Sequence, residues 1–154
     1  GQGISLDLKK DNDKLKKALK QVIQEIETTD STHEIIPVIS FDKQINCDIN
    51  RVSQLLSNLL SNAVKHGFPS SPIFVNAIIS DNHFVLEVIN SSDPIPENIL
   101  EDIFKPFTTN HSENIKEGLG LGLYIASEIA KAHNGKIEVT SVKDRTNFKF
   151  SIPL

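Results

Sequence analysis

The sequence predicts an α+β fold in which about three helices cover one face of a mixed sheet, a two-layer α/β sandwich. Residues 14–28, 48–67 and 124–134 carry apolar side chains at three- and four-residue steps, the period of amphipathic helices. Two pairs of β-type runs, 71–80 with 83–90 and 136–142 with 145–152, are each joined by two turn-forming residues, which marks hairpins. The 154 residues suit one domain, and 38% hydrophobic with 23% charged residues is the balance of a globular chain with a packed core.

Residues 1–13 combine glycine and charge with little apolar period and read as a linker or the remnant of an upstream region, so that 14–154 is the folded domain. The first helix comes next, with Leu15, Ala18, Leu19, Val22, Ile23 and Ile26 as its buried stripe and Asp13 as its expected cap. The lysines from Lys9 to Lys20 read as a solvated face. In residues 34–41, Ile35, Ile36, Val38 and Ile39 surround Pro37, which donates no hydrogen bond and therefore predicts an edge strand. His33 heads this run and is read as an exposed polar residue.

The stretch from Asp48 to Gly67 organises the rest. Val52, Leu55, Leu56, Leu59, Leu60 and Ala63 form its apolar stripe, Asp48 is placed to cap its start, and Gly67 to end it in a left-handed conformation. On a second face Gln54, Asn58 and Asn62 recur every four residues, with Lys65 beyond. Asparagine is a mediocre helix former, so its repetition in mid-helix asks for another reason. Its amide oxygen is a neutral hard ligand, suited to a Mg²⁺ that already carries phosphate oxygens.

The first hairpin turns at Asp81-Asn82, and its second strand runs into Asn90-Ser91-Ser92-Asp93-Pro94-Ile95-Pro96, a polar turn. Pro96 can open a short helix, and Ile103-Phe104-Lys105-Pro106-Phe107 offers phenylalanines to anchor the next segment. Residues 108–117 are polar and aperiodic, a loop long enough to be functional. Gly118-Leu119-Gly120-Leu121-Gly122-Leu123 then precedes the third helix, where closely spaced backbone N–H groups and the helix terminus favour an anion. The stretch lacks the Lys-Ser/Thr of a P-loop and the Rossmann spacing. Asn134-Gly135 ends the helix, and the last hairpin crosses Lys143-Asp144.

The net charge of −4 argues against a general nucleic-acid binder. A single cysteine, Cys47, excludes an internal disulfide, offers no zinc pattern and fits the reducing cytoplasm. No apolar run reaches the roughly 20 residues that span a bilayer, and no direct membrane contact is expected. The absence of methionine reads as a segment excised from a longer chain.

Asn58-Leu59-Leu60-Ser61-Asn62-Ala63-Val64-Lys65-His66 resembles the N box of sensor histidine kinases, within the gyrase-type (Bergerat) ATPase superfamily. The resemblance implies that Asn62 and Asn58 hold Mg²⁺, that Lys65 contacts the phosphates, and that His66 lies against the nucleotide. The turn after Asn90 resembles the first glycine box, Asp-x-Gly-x-Gly before Ile-Pro. Asn90 stands for the Asp that accepts the adenine amino hydrogen, Ser92 for the following Gly, and Ile95 matches. A neutral acceptor contributes less than a carboxylate, by about 1 kcal/mol.

Residues 103–107, ending at Phe107, resemble the F box, and 108–117 the ATP lid. Gly118, Leu119, Gly120, Leu121, Gly122 and Leu123 resemble the second glycine box, with Leu119 for its threonine, and Arg145-Thr146 resembles the late Gly-Thr with Thr146 retained. The likeness runs from about Gly3 onward and is nearest in wording to phytochrome-like or PAS-linked kinases. It implies a domain that binds ATP and Mg²⁺ and presents the γ-phosphate to a histidine on a separate dimerisation domain outside this chain. A response regulator would be an indirect partner, the isolated chain a monomer, and no catalytic nucleophile its own.

Two other readings compete. A non-catalytic relic of the same fold would explain Asn90 and Ser92. A serine kinase or hydrolase of the superfamily would want a carboxylate where Asn58 stands, and none is there.

Overall fold

The computed structural model describes residues 3–107 and 121–154. Its elements are β1 (Lys9–Lys10), α1 (Asn12–Thr29), β2 (Ile35–Ser40), β3 (Asn46–Cys47), α2 (Ile49–His66), β4 (Ile73–Ser80), β5 (His83–Ser91), α3 (Glu97–Leu100), α4 (Gly122–Ala132), β6 (Lys136–Val142) and β7 (Arg145–Pro153). Five strands form one mixed sheet in the order β2-β4-β5-β7-β6. Only β2 with β4 is parallel among its pairs, and β2 lies at an edge, as Pro37 predicts.

Strand alternation puts Phe84, Leu86 and Val88 of β5 beside Phe148, Phe150 and Ile152 of β7 on one face. These meet Leu15, Leu19 and Ile23 of α1, the α2 stripe, and Ala126, Ile129 and Ala130 of α4 in a single core. Each leucine, isoleucine, valine or phenylalanine so withdrawn from water contributes about 1.5–3 kcal/mol. α2 packs against both α1 and α4, so the stripe read from its sequence becomes the centre of the helical layer. On the other face Glu87 accepts hydrogen bonds from Asn76 (3.0 Å) and Asn147 (3.2 Å), the polar side of a singly covered sheet.

The first hairpin turns as expected. Asp81 and Asn82 both adopt positive φ, 52° and 58°, the conformation of a type I′ turn.

Four details correct the sequence reading. The helix α1 begins at Asn12, and its cap is Asp11, whose Oδ1 accepts the Lys14 N–H at 3.0 Å. Asp13 lies in the first turn, where its charge suits the helix dipole. The expected linker contains β1, which pairs antiparallel with β3, while the Asp7 N–H donates to Asp48 Oδ2 at 2.9 Å. Two-residue strands carry no period, and this ribbon depends on pairing across long sequence separation.

Gly67 is not left-handed, having φ −72° and ψ 154°. It is required by space, because a β-carbon there would lie 2.6 Å from the Ala63 carbonyl oxygen. His33 is buried rather than exposed, and Thr32 and Asp30 enclose its Nδ1.

The ribbon seals Cys47, which is fully buried. Burial, with the charge of Asp48 adding to it, pushes its thiol up to about 12. At pH 8 the folded protein is expected to resist a thiol reagent that modifies the urea-unfolded chain stoichiometrically. Rapid modification of the folded chain would show that β1 and β3 part readily.

Candidate functional site

Three pieces of the fold lie along the C-terminal half of α2. The first is the polar face of α2 itself, whose direction is set at its N-terminus. Asp48 Oδ1 accepts the Arg51 N–H at 3.0 Å. The Asp48 N–H donates to His133 Nε2 at 3.0 Å, and His133 Nδ1 donates to the Ile129 carbonyl at 2.8 Å. His133 therefore holds one tautomer and ties the end of α4 to the start of α2. No periodicity in the sequence marks that link.

Further along α2, Asn58 Nδ2 donates to the Gly122 carbonyl oxygen at 3.0 Å, joining the helix to the start of α4. With its NH₂ so engaged, Asn58 has its amide oxygen left to offer. Asn62 stands one turn on, half-buried, and neighbouring positions four apart have β-carbons about 5–6 Å from each other. Lys65 and His66 occupy the exposed last turn.

The second piece is the end of β5. Asn90 is buried and pairs in register with Thr146 of β7. The Phe68 N–H donates to the Ser91 carbonyl at 2.8 Å, stitching the segment after α2 to this strand end. Ser92, where a glycine was expected from the resemblance, is also absorbed: its hydroxyl lies 2.7 Å from Thr146 Oγ1. Thr146 Oγ1 in turn lies 3.3 Å from Ser141 Oγ, which accepts the Ile95 N–H at 2.8 Å. This hydroxyl chain brings together Ser92, Ile95 and Thr146, and strand register sets Asn90 opposite Thr146. Ser141 escaped the sequence reading, for a serine in an alternating strand looks like any surface polar residue.

The third piece is the start of α4. Leu121 precedes it without a side-chain cap, so the first backbone N–H groups lack that partner. Leu123 turns its side chain into the core. Gly118, Leu119, Gly120 and the lid 108–117 lie outside the described residues. Of the two phenylalanines expected to anchor, Phe104 does so, edge-on to Phe148 with ring centroids 6.1 Å apart. Phe107 is 64% exposed at φ 60°, which is a correction of its anchoring role.

A concavity of about 760 Å³, reaching the β5 end at Asn90 and Ser91, opens across the sheet, where Phe74, Ile89 and Val142 alternate onto the helix-free face. Among the described residues no three His, Cys, Asp or Glu side chains group as metal ligands, and no helix is long and apolar enough to cross a membrane.

The family model described as histidine kinase-, DNA gyrase B-, and HSP90-like ATPase matches residues 47–154, a span that takes in all three pieces. The chain belongs to that ATPase family. A bacteriophytochrome of Pseudomonas aeruginosa is 31% identical over 156 aligned residues, covering 99% of this chain and 21% of that protein. A probable sensor histidine kinase of Mycobacterium tuberculosis, TcrY, is 34% identical over 109 residues, covering 70% of this chain and 23% of the relative.

Among solved structures, the catalytic domain of the histidine kinase ThkA superposes with TM-score 0.74 at 26% identity, covering 97% of this chain and 96% of that one. The chain spans between 17% and 43% of the length of the curated relatives compared, about a fifth of the bacteriophytochrome. Within the ATPase family it is thus of the sensor-histidine-kinase catalytic-domain type, with ATP as its nucleotide.

Proposed function

We propose that the chain binds Mg-ATP and presents the γ-phosphate to a phosphoacceptor histidine on a dimerisation domain of the same full-length kinase. The observation that supports this best is the joining of Asn58 to the start of α4. It sets the neutral oxygens of α2 beside helix-terminal N–H groups, an arrangement suited to a cation and an anion together.

In this reading Asn58 and Asn62 hold the magnesium ion by their amide oxygens. When bound, that ion neutralises charge on the phosphates. Lys65 and the backbone around Leu121 and Gly122 bind the phosphates, and the same role extends to Gly118, Leu119, Gly120 and Leu123. Asn90 reads the adenine, with His66, Ile95, Phe107 and Thr146 around the nucleoside. The chain positions and neutralises, while the nucleophile comes from another domain. The isolated chain is accordingly a monomer with little turnover, and a response regulator takes the phosphate later. The same reading puts the domain in the cytoplasm.

The relic alternative was supported by the neutral Asn90 with Ser92; of these, Ser92 has a structural place in the hydroxyl chain, which weighs toward the kinase reading. The deciding experiment is calorimetric titration with ATP, with and without Mg²⁺, and with GTP as control. Magnesium-dependent, adenine-selective binding is expected. Absence of binding by the folded chain would refute the proposal.

A further inference from the structure

The segment between α1 and β2 holds a buried histidine that the nucleotide reading leaves unused. The His33 side chain is 4% exposed. Thr32 Oγ1 donates its hydrogen to Asp30 Oδ1 at 2.6 Å, so towards His33 Nδ1, 2.9 Å away, the hydroxyl has only lone pairs to offer. Asp30 Oδ2 stands 3.1 Å from the same ring nitrogen. Burial opposes the charge on Asp30, but hydrogen bonds from Thr32 and His33 outweigh it and hold the carboxyl below its usual range. With two acceptors before it, Nδ1 is the nitrogen that carries the hydrogen in the uncharged tautomer, which leaves a lone pair at Nε2.

Nε2 is buried and has no hydrogen-bond partner among the described residues. An unpaired buried acceptor is costly, so its surroundings are informative. It faces the space left by the missing side chain of Gly67. A β-carbon at that position would lie 3.5 Å from His33 Nε2 and 3.3 Å from Asn90 Nδ2. Asn90 Nδ2 is itself weakly held, donating to the adjacent Ser91 carbonyl at a long 3.4 Å. A donor with a hydrogen to spare and an acceptor without one therefore border the same gap.

We infer that His33 is a positioning residue that sets the base specificity of the nucleotide site by orienting the Asn90 amide. The inference rests on the reading of Asn90 as the base contact. In that tautomer His33 takes the Nδ2 hydrogen through one water in the gap beside Gly67, and this turns Oδ1 toward the ligand. An oxygen there accepts the 6-amino hydrogen of adenine and repels the 6-oxo oxygen of guanine. The reversed amide would offer NH₂ and favour guanine instead. A carboxylate has two acceptor oxygens and needs no such control, whereas asparagine does.

The test compares dissociation constants for Mg-ATP and Mg-GTP in the unmodified chain, in His33→Phe, and in His33→Phe combined with Asn90→Asp. Loss of one neutral hydrogen bond is expected to lower the ATP/GTP selectivity of His33→Phe by about three- to tenfold. Asn90→Asp should restore selectivity in that background, because a carboxylate cannot be misoriented. A general folding defect would weaken both nucleotides alike and would not be repaired in this way. If His33→Phe does not fold, Asp30→Ala, which frees the tautomer, should shift the ratio in the same direction.

An unchanged ratio in the folded variant, or a lost ratio that Asn90→Asp fails to restore, overturns the inference alone. Failure of the unmodified chain to bind either nucleotide overturns the site reading itself, and the inference with it.

Discussion

Asn62→Ala lowers Mg-ATP affinity by roughly a hundredfold, the upper end of what changes to the surroundings of a bound metal cost. The expectation comes from where Asn62 stands. It is half-buried on the α2 face that carries Asn58, one turn from the residue joined to α4, and its only functional groups are an amide oxygen and NH₂. If its oxygen holds the cation, its removal matters only when the cation is present. Titration in EDTA should therefore give the same weak affinity for the variant and the unmodified chain.

Folding should survive this change, since alanine is the better helix former by about half a kcal/mol. Asn58→Ala is a less clean comparison because it also releases the Gly122 carbonyl. Equal Mg-ATP affinity in Asn62→Ala and the unmodified chain would remove the metal role from α2.

Phe150→Ala destabilises the domain by about 3–5 kcal/mol. Phe150 is fully buried on β7, with Leu86 of β5 and Ile137 of β6 as its register partners. Its ring meets that of His133 edge-on, centroids 6.2 Å apart, so the cavity would also undercut the residue linking α4 to α2. Against the roughly 5–15 kcal/mol available to a typical domain, this is a large fraction. Urea unfolding should show a lower midpoint at an unchanged slope. Val142→Ala, at a side chain 65% exposed, should stay within about 0.5 kcal/mol of the unmodified chain. A loss below about 1 kcal/mol for Phe150→Ala would mean that the β7 face is not packed as described.

The parts of the molecule legible in the sequence are those governed by near neighbours. The α2 stripe, its Asp48 cap and the Asp81-Asn82 turn depend on residues within a turn or two, and each takes the expected place. Gly67 was legible as a helix stop but not for its reason. Glycine at a helix end ordinarily signals left-handed backbone, whereas here it signals crowding against Ala63 and the neighbourhood of Asn90 and His33. The burial of His33 was illegible because a polar residue before a strand has no period to betray it.

By itself, then, the sequence determined the helices, the hairpins, the edge position of β2 and the asparagine face of α2, since spacing and turn chemistry act over a few residues. Only the tertiary structure decided the β1–β3 ribbon, the reach of Asp7 to Asp48 across 41 positions, and the hold of His133 on the start of α2 across 85. It also decided that Ser92 serves Thr146 and that His33 and Asn90 border the same gap at Gly67. The hydrogen bonds among these join donors and acceptors from distant segments, and no local period in the sequence specifies such partners.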